Sequence, residues 1–253
     1  MKIGIIGAGQ IGSALIRQYA KAGHEIKITN SSNLEKLQAL EKETGAKAVQ
    51  VNEVAIDSDV LVIAIPLCEI PNLAKSLSNR IADSTIIIDT TNYYPIRDGR
   101  IDALDNGMPE SVWVSNQLSL PVIKVYNSIL AGSLINKGHT EAAIQRIALP
   151  ISGDNKQSKA VVATLVNDSG YDALDIGQLA DSWRQQPGSP IYCTDLTRSE
   201  LKLNASRAIK QQLPDNRELA LQWILKQDPS KWLAWYNNCV ANNRLVYKTI
   251  INQ

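Results

Sequence analysis

The sequence predicts an α/β fold, a doubly wound parallel sheet with a small, mainly helical C-terminal extension. Three observations point that way. Short runs of Val, Ile and Leu without polar alternation occur at residues 2–6, 60–65 and 85–89, as in strands covered on both faces. Helical patterns separate these runs, as crossover helices do in parallel sheets. A glycine-rich turn joins the first strand to the first helix, at the end of the sheet where such folds bind ligands.

Taken in order, residues 2–6 form the first strand and 11–22 the first helix, with Ile11, Leu15, Ile16 and Tyr19 on one side and Gly23 ending it. Residues 25–29 alternate as a second strand, 30–33 make a turn and 34–44 a helix. A short strand over 47–51 and a helical turn over 52–57 lead to the strand 60–65, which Pro66 ends. A helix over 70–80, a strand over 85–89, a helix near 109–118 and a strand over 122–126 follow. Residues 148–152 are a strand, 155–168 a helix and 173–176 a last strand. Asp215 to Glu218 resembles a capping box opening a helix to about 227, and Asp228-Pro229 opens another. The expected domains are 1–195, which holds the sheet, and the helical extension 196–253.

A chain of 253 residues can hold one large domain and a small one. Phe is absent, so Val, Ile, Leu and Ala must pack the core. A net charge of +1 speaks against a nucleic-acid partner, which needs a basic surplus. Cys68, Cys193 and Cys239 are odd in number and widely spaced, so neither a disulfide framework nor a metal site is expected. His24 and His139 are the only histidines, which again disfavours a metal. No apolar run approaches the ~18 residues of a membrane span, and the N-terminus lacks a signal-peptide cleavage site. A cytoplasmic protein with reduced thiols is the expectation.

Gly7-Ala8-Gly9-Gln10-Ile11-Gly12 has the G-x-G-x-x-G spacing between a strand and a helix. The first glycine permits the tight turn, the second lets the backbone approach a pyrophosphate, and the third lets helix and strand pack closely. The helix N-terminus offers unpaired amides to the phosphates. This is the loop of a dinucleotide-binding Rossmann fold. The NAD form carries Asp or Glu at the end of the second strand, for the ribose 2′-hydroxyl. Here Asn30-Ser31-Ser32-Asn33 stands instead, with Lys36 one helical turn on. Without a carboxylate to repel a 2′-phosphate, NADP is the expected cofactor, bound by Asn30, Ser31, Ser32 and Lys36. Asn30, Ser31, Ser32 and Asn33 also suit a turn and a helix cap.

Further motifs carry a resemblance. They are the loop 7–12, the run His24 to Lys36, Ala64-Ile65-Pro66, Lys124-Val125-Tyr126-Asn127-Ser128-Ile129, Gly153-Asp154-Asn155 and Asp175-Ile176-Gly177-Gln178-Leu179-Ala180. In this order, over about 1–195, the chain resembles the NADPH:F420 oxidoreductases. That resemblance implies hydride transfer between NADP and an 8-hydroxy-5-deazaflavin, coenzyme F420; the related domain of membrane ferric reductases uses a flavin. It implies that Ile65 and Pro66 end beside the dinucleotide, that 124–129 lies by the nicotinamide, and that the segment after 175–180 walls the deazaflavin pocket. The chain departs from the family at Ser32, where an arginine often grips the 2′-phosphate, and at Gln178, where a proline is usual.

Asn127 and Ser128 follow a strand and either orient the nicotinamide amide or form an ordinary turn. Lys124 lies within a strand, where a solvated edge position is expected rather than contact with an anionic acceptor. Trp232, Trp235 and Tyr236 share one helix face, read as a docking or homodimer surface rather than a cofactor box. With strands 122–126 and 173–176 in one parallel sheet, their ends should converge. The expected acceptor pocket is walled by Asn127, Ser128, Ile129, Gly177, Leu179 and Pro187. No nucleophile–base pair stands out, which suits hydride transfer between two stacked rings. The expectation is therefore an NADP-dependent oxidoreductase acting on a deazaflavin or flavin. The alternatives are a dehydrogenase or imine reductase of a small metabolite, and a non-catalytic NADP sensor.

Overall fold

A computed structural model describes residues 1–30, 34–77, 79–139, 145–228, 230 and 232–251. β1 (Lys2–Ile6) leads through α1 (Gln10–Lys21) to β2 (Glu25–Thr29), then α2 (Leu34–Thr44) and the two-residue β3 (Lys47–Ala48). β4 (Val60–Ile63), α3 (Ile70–Leu77) and β5 (Ile86–Asp89) follow. Two single turns, α4 (Pro95–Asp98) and α5 (Asp102–Asp105), precede α6 (Glu110–Leu118) and β6 (Val122–Lys124). Then come α7 (Ala131–Asn136), β7 (Ala148–Ser152), α8 (Lys156–Asp168) and β8 (Asp172–Gly177). A 3-10 stretch, Leu179–Gln185, leads to α9 (Arg198–Arg207), α10 (Leu213–Ile224) and α11 (Trp232–Val246).

The strands form one sheet in the order β3-β2-β1-β4-β5-β6-β7-β8. Side chains alternate between the faces of a strand even where polarity does not. The row Ile28, Ile5, Val62, Ile88 and Ile123 is in register across five strands and packs with Leu15, Ile16, Leu40 and Leu165. The alternate row Leu61, Ile87 and Val122 packs on the other face with Ile70, Leu73 and Val114. Unbroken apolar strands thus feed two cores, and each fully buried Ile or Leu stabilises the fold by about 2 kcal/mol.

Strands β3, β2, β1, β4, β5 and β6 are parallel, but β7 runs antiparallel to β6, with Lys124 opposite Ser152, and β8 is parallel to β7. The expected convergence of the ends of β6 and β8 therefore fails, because β8 points to the opposite edge of the sheet. β6 stops at Lys124 rather than 126, since Tyr126 turns the chain with φ of 62°. The helix expected from 215 starts at Leu213, with Pro214 in its first turn. Pro229, the expected start of the last helix, lies outside the described residues.

The C-terminal helices return to the sheet. Leu201 and Ala205 of α9 pack with Ala148 and Leu174, and α11 packs on α7. Among the described residues, no helix is long and apolar enough to cross a membrane.

Candidate functional site

After β1 the chain turns through Gly7, with φ of 101°. A Cβ there would stand 2.3 Å from the Ala64 carbonyl oxygen, and one on Gly12 would stand 1.9 Å from the Gly7 carbonyl oxygen. Close approach of loop, helix and β4 therefore requires glycine at both. Ser13 Oγ donates to the Ala8 carbonyl at 2.9 Å and braces the turn. Gly9 is different, because nothing lies within 4 Å of its Cβ position. That open cradle adjoins the first-turn amides of α1, where no acidic residue stands. It offers the close backbone approach and positive helix end that a pyrophosphate requires, so the loop fits a dinucleotide.

A cleft of about 380 Å³ opens from this loop along the C-terminal ends of β4, β5 and β6. Of the residues expected at the site, Gly9, Gln10, Ile11, Ile65, Pro66, Asn127 and Ile129 line it. Gly7, Ala8 and Gly12 lie buried beneath the loop. Asn30 is half-buried just past β2, and Lys36 is exposed in the first turn of α2. Ser31 and Ser32 lie outside the described residues. Ser128 is buried, and its carbonyl accepts from the Cys193 amide at 2.9 Å.

Gly177, Leu179 and Pro187 do not join the cleft. Gly177 ends β8 at the far edge, where its amide donates to Asp175 Oδ1. Leu179 packs in the core with Val122 and Trp113. Pro187 is buried in a turn whose next residue, Gly188, abuts the Leu213 carbonyl of α10. Antiparallel β7 is the reason for Gly177, because it turns the end of β8 away from the edge that carries the glycine loop.

Tyr94, Arg97, Tyr192, Cys193, Trp235 and Tyr236 provide the missing wall. The face read as a docking surface thus includes two cleft residues. Tyr236 is buried, and its hydroxyl donates to Gln10 Oε1 at 2.9 Å. The Trp235 ring stands edge-on to Tyr236, with centroids 4.9 Å apart. Arg244 ties α11 down through the carbonyls of Thr194 and Asp195, at 2.7 and 2.8 Å. No local pattern announces these contacts. For this wall the sequence signal is a tyrosine following a strand end, as Tyr94 follows β5.

Asn127 is fully engaged. Its Nδ2 donates to Asn92 Oδ1 at 3.0 Å and to the Gln185 carbonyl at 2.7 Å, and its Oδ1 accepts from Gln185 Nε2 at 2.8 Å. It braces the cleft floor and has no side-chain hydrogen left for a nicotinamide amide. Lys124 is wholly buried, not solvated, and donates to the Thr91 carbonyl at 2.9 Å.

A larger open groove, about 1360 Å³, runs along β8 and α9 without any phosphate-loop residue. Its charges include the pairs Arg146 with Asp172 and Arg184 with Asp181. The smaller cleft is the one in contact with the loop.

Residues 2–93 match the family described as NADP oxidoreductase, coenzyme F420-dependent. A 92-residue stretch is 34% identical to pyrroline-5-carboxylate reductase 1 of Bacillus subtilis, covering 34% of this chain and 31% of that protein. The chain spans less than half the length of the curated relatives it matches. A hypothetical protein of Sinorhizobium meliloti has a similar structure, with 26% identity, a TM-score of 0.68, and coverage of 78% of this chain and 96% of that one. A candidate F420-dependent NADP reductase from Arthrobacter sp. has 20% identity and a TM-score of 0.59, covering 71% and 86%; at that identity the likeness is one of fold. The resemblance read from the sequence is therefore borne out over residues 2–93, where the chain is similar to the F420-dependent NADP oxidoreductase family.

Proposed function

We propose that this chain is an NADP(H)-dependent oxidoreductase that passes a hydride between the dinucleotide and a deazaflavin or flavin. The observation that carries this reading is the open cradle at Gly9, continuous with a cleft along the ends of β4, β5 and β6. The likeness over residues 2–93 supports the oxidoreductase class, and the family's name supports a deazaflavin. When bound, the dinucleotide supplies the hydride. The chain's own residues supply placement. The loop amides hold the pyrophosphate, and Asn30, Ser31, Ser32 and Lys36 receive the 2′-phosphate. Ile65, Pro66 and Ile129 offer apolar surface to the rings, while Trp235 and Tyr236 keep water out.

Calorimetric titration with NADPH and NADH tests the binding half, with tighter NADPH expected. Gly9→Val should keep its circular dichroism and weaken NADPH by about 100-fold or more, roughly 2.7 kcal/mol, because its side chain fills the cradle. Stopped-flow mixing of the NADPH complex with F420 or FMN should show loss of nicotinamide absorbance. Turnover of a small ketone or imine alone would replace this reading by a metabolite reductase, and tight binding with no turnover by an NADP sensor.

A further inference from the structure

One wall of the cleft carries polar groups for which holding a dinucleotide gives no reason. The hydroxyls of Tyr94 and Tyr192 lie 2.9 Å apart. Two O–H groups share that single bond, so one hydrogen remains to be donated. The adjacent Cys193 sulfur is only a weak acceptor for it. Burial is the leading cause pushing both phenols above their ordinary range, so both keep their protons.

Arg97 lies over the Tyr94 ring, 5.6 Å from its centroid. Its Nε and Nη2 donate to Asp98 at 2.9 and 2.8 Å, and Nη2 also donates to the Asn92 carbonyl. Asp98 is wholly covered, so this two-point grip fixes the direction of the guanidinium. Among the described residues, Arg97 Nη1 has no hydrogen-bond partner, and the side chain is 45% exposed. Arg97, Tyr94 and Tyr192 all border the same cleft as Gly9. Two lining residues, Tyr126 and Cys193, hold left-handed backbone with φ of 62° and 54°, which non-glycine residues adopt mainly where surrounding structure enforces it.

We propose that Tyr94, Tyr192 and Arg97 form the subsite for the hydride acceptor. The hydroxyl pair donates a hydrogen bond to a carbonyl oxygen, and Arg97 Nη1 meets a carboxylate or phosphate of the same molecule. The acceptor class is thus a carbonyl-bearing anion. The inference rests on the oxidoreductase reading and narrows its substrate. Flavin nucleotides and keto acids share this chemistry.

The test compares matched probes, FMN with riboflavin and pyruvate with acetone, titrated into the free protein and the NADP+ complex. Loss of nicotinamide absorbance on turnover reports on the oxidoreductase reading, and the preference for the anionic probe reports on the subsite. One pair should show about tenfold tighter binding of its anionic member, and which pair does so identifies the source. Arg97→Met should abolish that preference. Arg97→Lys, which retains a partner for buried Asp98, should reduce it if the Met variant fails to fold. The double variant Tyr94→Phe/Tyr192→Phe should weaken both members of the pair alike, by about fivefold. No preference in either pair, or one undiminished in the Arg97 variants, overturns the proposal.

Discussion

Beneath the cleft floor, three charged side chains are buried together. Lys124 Nζ lies 3.5 Å from Asp89 Oδ2 and 3.6 Å from Glu110 Oε2. Asp89 also accepts from the Thr91 amide at 2.8 Å and Ser111 Oγ at 2.5 Å. This cluster shapes the 89–92 turn that lines the cleft. Two carboxylates share one ammonium, and burial is the leading cause that pushes the Glu110 carboxyl up, outweighing the Lys124 charge. A carboxyl whose folded pKa is raised contributes stability that is fully present below its ordinary value, about 4.3, and is lost as pH rises through the folded value. A glutamine remains neutral and loses nothing. Glu110→Gln should therefore match wild type near pH 4 and exceed it at pH 8, by about 1 kcal/mol or a few degrees in Tm. Thermal unfolding at both pH values checks this, and an equal or lower Tm at pH 8 counts against it. Pattern reading found Lys124 but not its burial, because the carboxylate partners come from another strand, 35 positions earlier, and a helix, 14 positions earlier.

At the scale of elements, the seating of α11 on α7 depends on Gly132. A Cβ there would stand 2.5 Å from the Tyr236 ring. Gly132→Ala must displace that ring and break the Tyr236–Gln10 bond, at a cost of about 1–3 kcal/mol, the usual range for overpacking. Urea unfolding should show the lower midpoint, whereas an unchanged midpoint would mean that Tyr236 is not seated there. Most elements up to β6 are legible in the sequence because buried strands and crossover helices differ in both length and pattern. α9 carries a readable signal that went unused, since Thr197 and Glu200 form a reciprocal capping box. The direction of β7 carries none. An apolar run such as 148–152 reads the same whichever way its neighbour points.

On the scale of the whole molecule, α11 brings Tyr236 to Gln10 across 226 positions, and the extension becomes part of the site. Dinucleotide binding should then slow amide hydrogen exchange in α11 as well as in the phosphate loop. The interior strands β1, β4 and β5 should exchange slowly with or without ligand, since their side chains are almost entirely buried. Exchange–mass spectrometry with and without NADPH checks this. Protection confined to the loop would show that α11 takes no part in the cleft.

The sequence by itself determined the first strand, the phosphate loop and its helix, and the alternation that builds the parallel part of the sheet. These rest on local rules, namely glycine at positions that no Cβ can occupy, and hydrophobic periodicity. Only the tertiary structure decided which residues complete the cleft. It replaced Gly177, Leu179 and Pro187 with Tyr94, Tyr192 and the aromatic pair of α11. The physical reason is strand direction. Antiparallel β7 sends the end of β8 to the far edge of the sheet, and the packing of α11 on Gly132 brings distant aromatic rings back to the near one.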